Sequence, residues 1–216
     1  PTMGLLMADL GIGPALGGWL MTVPTVTGLV LALPSGGLTD KFGPKKVGLF
    51  AILSAAVGSL IGSFAPNIEL LLFSRFVEGL SFALIGVAVP AIIALWFSPE
   101  KSGAPMAIWS GWVPIGMLAI FTGANLFIAA DDPGTWANVW WLSTALLVAA
   151  AVLYLVFVKA PEGYAAEDAP KISLVEGMKS PSTWLLAVVF AMFAFIMYAV
   201  STFAPTYCME ELGYSL

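Results

Sequence analysis

Arg75 and Glu78 are the residues of this chain best placed to do chemistry. They stand three apart inside an apolar run, Leu72-Phe73-Ser74-Arg75-Phe76-Val77-Glu78-Gly79-Leu80-Ser81-Phe82-Ala83. On a helix that spacing puts both side chains on one face, where they can pair. Each charge would cost about 2.5–3.5 kcal/mol at the centre of a membrane helix, so both should face a cavity or each other. Two roles fit: a fixed structural ion pair, or a carboxylate that changes partner on protonation and so couples a proton to a second event. One sequence leaves both open.

A second cluster reads Gly36-Gly37-Leu38-Thr39-Asp40-Lys41-Phe42-Gly43-Pro44-Lys45-Lys46. It lies between two long apolar stretches and is expected to form a tight charged turn, with Gly36 and Gly43 easing the bend and the approach of neighbouring helices. The lysines would fix topology. Topology needs no acid at position 40, so Asp40 reads better as part of a charge cluster with a further role, while for Lys41, Lys45 and Lys46 that role and topology both stay open. Trp109 and Trp112, three apart, could line a path through the bilayer, although anchoring at the interface or packing explains them as well. The same holds for Tyr198, Ser201 and Thr202, whose hydroxyls could face a cavity or bond to a neighbouring helix.

The elements that must position these groups are membrane helices. Apolar residues make up 60% of the chain and charged residues 10%, which leaves too little polar surface for a water-soluble globule of 216 residues. Six stretches approach or exceed the roughly 20 residues a helix needs to cross a bilayer: 15–38, 47–64, 70–97, 104–130, 139–158 and 184–207. They are continuously apolar, not alternating, which favours helices over barrel strands. Pro90 and Pro114 are compatible with such helices and mark candidate kinks. The expected class is an all-α, polytopic helical membrane protein with six transmembrane helices.

The loops sort by charge. Lys41, Lys45, Lys46, Lys101, Lys159, Lys171 and Lys179 follow the first, third and fifth spans, whereas Asp9, Glu69, Asp131, Asp132, Glu210 and Glu211 lie in the opposite loops. The positive-inside rule puts the lysine side in the cytoplasm of a multi-pass protein of the cell membrane. Trp19, Trp96, Trp136, Trp140, Trp141 and Trp184 fall near span ends, as interfacial aromatics do. The longest polar stretch, 160–181, is the expected boundary; 172–179 within it could form a short amphipathic helix or a plain solvated linker.

Composition also excludes. The chain has no histidine and a single cysteine, Cys208, which removes most zinc, haem and Cys/His nucleophile chemistry and any intrachain disulfide. A net charge of −5 argues against a nucleic-acid surface. No cofactor is expected, and no enzyme reading finds a nucleophile–base pair within the spans. A channel should show a charged ring or re-entrant loop, and none is evident.

The cluster at 36–46 resembles the loop between helices 2 and 3 of the major facilitator superfamily, Gly-x-Leu-Ala-Asp-Arg-x-Gly-Arg-Lys/Arg. Thr39, Lys41 and Pro44 depart from that pattern, and lysine is a poorer bidentate partner than arginine. The segment 72–83 is similar to the family's helix-4 pattern of Arg, then Gln-Gly, then small residues, with Glu78 in place of Gln. The end of the chain, 205–215, resembles the outer end of helix 7. The glycine–proline pair that marks the family's antiporters in helix 5 is missing around Trp109, Gly111, Trp112, Pro114 and Gly116.

The resemblance numbers the spans as helices 2 to 7 of 12, with helix 1 expected before Pro1 and five helices after Leu216. It implies an N-terminal half at 1–158, a central cytoplasmic loop at 159–181 and the start of the C-terminal half at 182–216. It further implies secondary transport of a small solute by alternating access, proton-coupled symport of an organic anion being one form. Gly36, Asp40, Lys41, Gly43, Lys45 and Lys46 would then be a gating cluster latched in the outward-open state. Arg75 and Glu78 would serve substrate or proton coupling, with Trp109, Trp112, Tyr198 and Ser201 as cavity lining. The expected partners are a small-molecule substrate, the lipid bilayer and protons, with no nucleic acid, and the full-length protein is expected to be a monomer. A transporter-like sensor or a six-helix channel is the alternative.

Overall fold

The computed structural model describes residues 2–129, 132–159 and 174–210. Its elements are α1 (Met3–Leu10), α2 (Pro14–Phe42), α3 (Pro44–Ser63), α4 (Ile68–Trp96), α5 (Gly103–Ser110), α6 (Trp112–Gly123), α7 (Trp136–Phe157), α8 (Leu174–Lys179) and α9 (Pro181–Glu210). The all-α class holds, and the described residues contain no strand beyond an isolated bridge between Ala129 and Asp132. Five segments are long and apolar enough to cross a membrane: Pro14–Phe42, Pro44–Ser63, Ile68–Trp96, Gly103–Gly123 and Pro133–Phe157. The sixth expected span is the helix α9, whose portion Pro181–Met197 is apolar. The chain forms two compact units, Pro1–Ala169 and Pro170–Leu216.

Local chemistry explains where these helices begin and stop. The cluster at 36–46 is a corner between two helices and not a loop. Residues Gly36 to Phe42 complete α2, and Lys45 and Lys46 already belong to the first turn of α3. Only Gly43 leaves the helix, at φ 84°, a conformation that disfavours any side chain. Its N–H still donates to the Thr39 carbonyl at 2.9 Å. Pro44 follows at the first position of α3, where its missing N–H costs nothing. Gly36 sits within α2 and a Cβ there would meet open space, so the bend rests on Gly43 alone.

Elsewhere, the Asn67 side chain caps α4 by accepting the Leu70 N–H at 3.0 Å. Ahead of α7, the Asp132 carboxylate accepts from the Gly134 N–H at 3.1 Å, and the Thr135 hydroxyl donates to the Asp132 carbonyl at 2.7 Å. The span expected at 104–130 divides into α5 and α6 at Gly111. Pro114 has no N–H to return to Ser110, and Gly111 bonds back to Ile108 instead, at 3.1 Å. The helix then ends at Gly123, short of the expected 130.

α3 is the central helix of the first unit and packs against α4 and α7, while α4 also packs against α2. Small residues make this possible. A Cβ on Gly58 would lie 2.9 Å from the Ser74 carbonyl oxygen of α4. On Gly79 it would lie 2.9 Å from the backbone of Pro24 in α2. Two apolar cores result. Leu6, Leu20, Ala65, Leu71 and Trp136 form one; Val47, Ala51, Leu84 and Ala88 form the other.

The two ends of the bundle are also tied. At one end the Tyr154 hydroxyl donates to the Lys45 carbonyl at 3.1 Å, and the Trp96 indole donates to the Lys159 carbonyl at 3.0 Å. Lys41, Lys45, Lys46 and Lys159 therefore gather at one end, with Lys101 just beyond α4. At the other end the Trp136 indole donates to the Asp9 carboxylate at 2.8 Å, joining α1 to α7. The short helix α1 was not expected from the sequence, and its Leu6 is buried among the starts of α2, α4 and α7.

Candidate functional site

Arg75 lies about two turns into α4, roughly 10 Å below its start, and Glu78 one turn deeper, near the middle of a bilayer core about 30 Å thick. Their side chains form an ion pair, the only one among the described residues, and are 21% and 17% exposed. α7 supplies a third member. The Arg75 guanidinium carbon lies 3.8 Å from the centroid of the Trp140 ring, a cation–π contact. Trp140 in turn stands edge-on to Trp136 at 5.7 Å, and its backbone carbonyl accepts the Ser59 hydroxyl of α3 at 3.1 Å. Gly62 makes room for the indole, since a Cβ at that position would run into the Trp140 ring. The Arg75 Nε is buried and finds no acceptor among the described residues.

These groups border a cavity of about 420 Å³ whose wall includes Ser59, Arg75, Glu78, Phe82, Trp112 and Trp140. Along α3 its lining residues Ala55 and Ser59 fall between the two apolar cores, and along α4 Arg75, Glu78, Ser81 and Phe82 do the same. Water-sized space at mid-depth, one cation, one anion and several aromatic faces make this the site of the unit best suited to a small polar ligand.

Of the residues singled out in the sequence, Arg75, Glu78 and Trp112 come together in this cavity. Trp109 is stacked on Trp112 at 5.3 Å with the rings 13° apart, and Phe82 lies 6.2 Å from Trp112. Tyr198 and Ser201 fall on α9, and their side chains lie outside the described residues. Gly36, Asp40, Lys41, Gly43, Lys45 and Lys46 stand apart, at the lysine-rich end. Asp40 forms no ion pair among the described residues. The Lys41 ammonium instead lies 5.3 Å from the centroid of the neighbouring Phe42 ring.

Sequence reasoning missed two participants. Trp140 and Trp136 were assigned to the membrane interface, whereas Trp140 stacks on Arg75 and Trp136 is buried at 3% exposure. Their spacing of four with Ser143 and Thr144 following, a polar stripe in an apolar helix, was the available signal. Asp9 was counted only as an outer acid, and its partner lies 127 residues away.

The fold and site define a polytopic α-helical membrane protein with a charged cavity at mid-depth. The family model described as Major Facilitator Superfamily matches residues 1–216, and the chain belongs to that superfamily. Among curated proteins it is 28% identical over 163 residues to the galactose-proton symporter of Escherichia coli K12, covering 72% of this chain and 34% of the symporter. It is 33% identical over 107 residues to a multidrug resistance protein B homolog of Mycobacterium tuberculosis, covering 47% of this chain and 19% of that protein. It is 33% identical over 93 residues to a niacin transporter of Acinetobacter baylyi, covering 43% and 20% respectively. The chain thus spans about a third or less of the length of these relatives.

Proposed function

We propose that this chain is part of a secondary transporter that carries a small organic anion by alternating access, in symport with a proton. The observation that carries this reading is the Arg75–Glu78 ion pair set beside Trp140 in the wall of a mid-depth cavity. A paired arginine has little to offer an anion. Protonation of Glu78 would release the guanidinium, which could then hold a substrate carboxylate, so proton and anion would travel together. Trp140 would keep the guanidinium in place while its partner changes. The names of the relatives, a galactose-proton symporter and a niacin transporter among them, support transport of small solutes with proton coupling in some members. Superfamily membership alone does not select the substrate.

In this reading the lysine-rich end is cytoplasmic, and Asp40 with Lys41, Lys45 and Lys46 gates access from that side across the corner at Gly43. The boundaries at 158 and 181 then separate the transporter's first half from its second. The test is uptake of radiolabelled small carboxylates by proteoliposomes containing the intact protein, with and without an inward proton gradient. Gradient-stimulated uptake that Glu78→Gln abolishes is expected. Uptake indifferent to the gradient would overturn the symport.

A further inference from the structure

We infer that the anion this cavity accepts is aromatic: a flat aryl carboxylate, its ring against the Trp112 wall and its acid group toward Arg75. The inference rests on the anion reading above and narrows it to a substrate class.

Three aromatic side chains from three helices border the cavity: Phe82 of α4, Trp112 of α6 and Trp140 of α7. Trp112 is held flat. Trp109 covers one face at 5.3 Å and nearly parallel, and Phe82 leans on it at 6.2 Å and 52°. A rigid stacked indole presents the cavity with a preformed aromatic surface, and preorganised surfaces bind without a large ordering cost. Trp140 already serves a cation, the Arg75 guanidinium at 3.8 Å.

The electrostatics select the ligand. Aromatic faces carry the negative part of the ring quadrupole, so they disfavour a bare anion held against them. A small aliphatic carboxylate in this cavity would meet Arg75 at one point and use only the aliphatic part of the wall, Ala55, Ile85, Ile120, Val139 and Leu147, while the Phe82, Trp112 and Trp140 faces gave its charge nothing. A ligand with its charge at one end and a neutral ring at the other removes the conflict. Its carboxylate meets Arg75, and its ring stacks offset or edge-on to indole. At about 420 Å³ the cavity lies within the range of small-molecule sites and has room for one or two fused rings. In its wall the Ser81 hydroxyl adds a donor for a ring substituent, while Ser59 and Ser143, whose protons go to the Trp140 and Val139 carbonyls, add acceptors.

Matched probes test this by calorimetry on the intact purified protein. Benzoate is compared with cyclohexanecarboxylate, and 2-naphthoate with decahydro-2-naphthoate. Each pair shares its charge and overall size and differs in aromaticity. The aromatic member should bind about threefold to tenfold more tightly, the increment expected of an aromatic pair beyond its buried area. Trp112→Leu should bring that ratio close to one, while Trp112→Phe should retain most of it. Melting temperatures of both variants, compared with the parent, show that the site is still folded. Equal binding of the two members of each pair by the parent would overturn the aromatic inference and leave anion binding standing. Failure of all four acids to bind would overturn the anion reading, and this inference with it.

Discussion

The Arg75 guanidinium lies 3.8 Å from the centre of the Trp140 ring, so a charge on α4 is held by a π face on α7. A cation–π contact of this kind contributes about 2 kcal/mol when desolvated, enough to keep the arginine in place through a change of carboxylate partner. Trp140→Leu should therefore lower stability by about 2–4 kcal/mol, from the lost contact and the space left behind. Trp140→Phe, which keeps a π face, should cost less than half as much. Urea or thermal unfolding in detergent measures both, and equal losses in the two variants would speak against a role for the ring face.

Gly62 and Trp140 make a second prediction. Because a Cβ on Gly62 would collide with the indole, Gly62→Ala should destabilise by about 1–3 kcal/mol through forced displacement of Trp140 and α7. Gly86→Ala, where a Cβ meets open space, should be neutral or slightly stabilising through helix propensity. Comparing the melting temperatures of the two variants decides the matter, with similar shifts counting against the close approach.

What could be read from the residues, and what could not, divides along a physical line. Helices α2, α3, α4 and α7 came from continuous apolar runs bounded by charge, because hydrocarbon demands that pattern within each segment. The pairing of Arg75 with Glu78 was legible for the same reason, since a spacing of three is a property of one helix. Contacts between helices were not. Asp9 with Trp136 and Arg75 with Trp140 join residues 127 and 65 positions apart, and the polar stripe of α7 marks a face of that helix without naming the residue it meets. The charged cluster at 36–46 was seen, yet its shape was misjudged. Gly43 turns the chain by itself, and Pro44 restarts the helix so soon that no loop remains.

Asp9 and Trp136 yield a third prediction. Their hydrogen bond, 2.8 Å long and part-buried, fastens α1 to the start of α7. Trp136→Phe keeps the ring and removes the donor, at a cost of about 1.5–3 kcal/mol for a bond to a charged acceptor. Amide exchange in residues 3–10 should speed up while exchange within α3 stays unchanged. Unaltered exchange in α1 would show that Leu6 and its apolar neighbours hold the helix by themselves.

Asp40 provides a fourth. It has no ionic partner among the described residues, so its proposed gating role calls on groups outside the unit described above. Asp40→Asn in the intact protein should leave the melting temperature within about 0.5 kcal/mol of the parent in stability terms, as surface changes usually do. Transport should nevertheless slow severalfold. Transport at the parental rate would reject the gate.

The most direct measurement is of protons taken up as an anion binds. Detergent-purified intact protein in weak buffer with a pH indicator, titrated with 2-naphthoate, reports whether Glu78 gains a proton when Arg75 gains a substrate. Proton uptake with each anion bound is expected of the parent. Glu78→Gln should bind the anion with no proton uptake, since its amide leaves Arg75 already free of an ionic partner. Anion binding by the parent without proton uptake would contradict the exchange of partners at Arg75 on which the proposed mechanism depends.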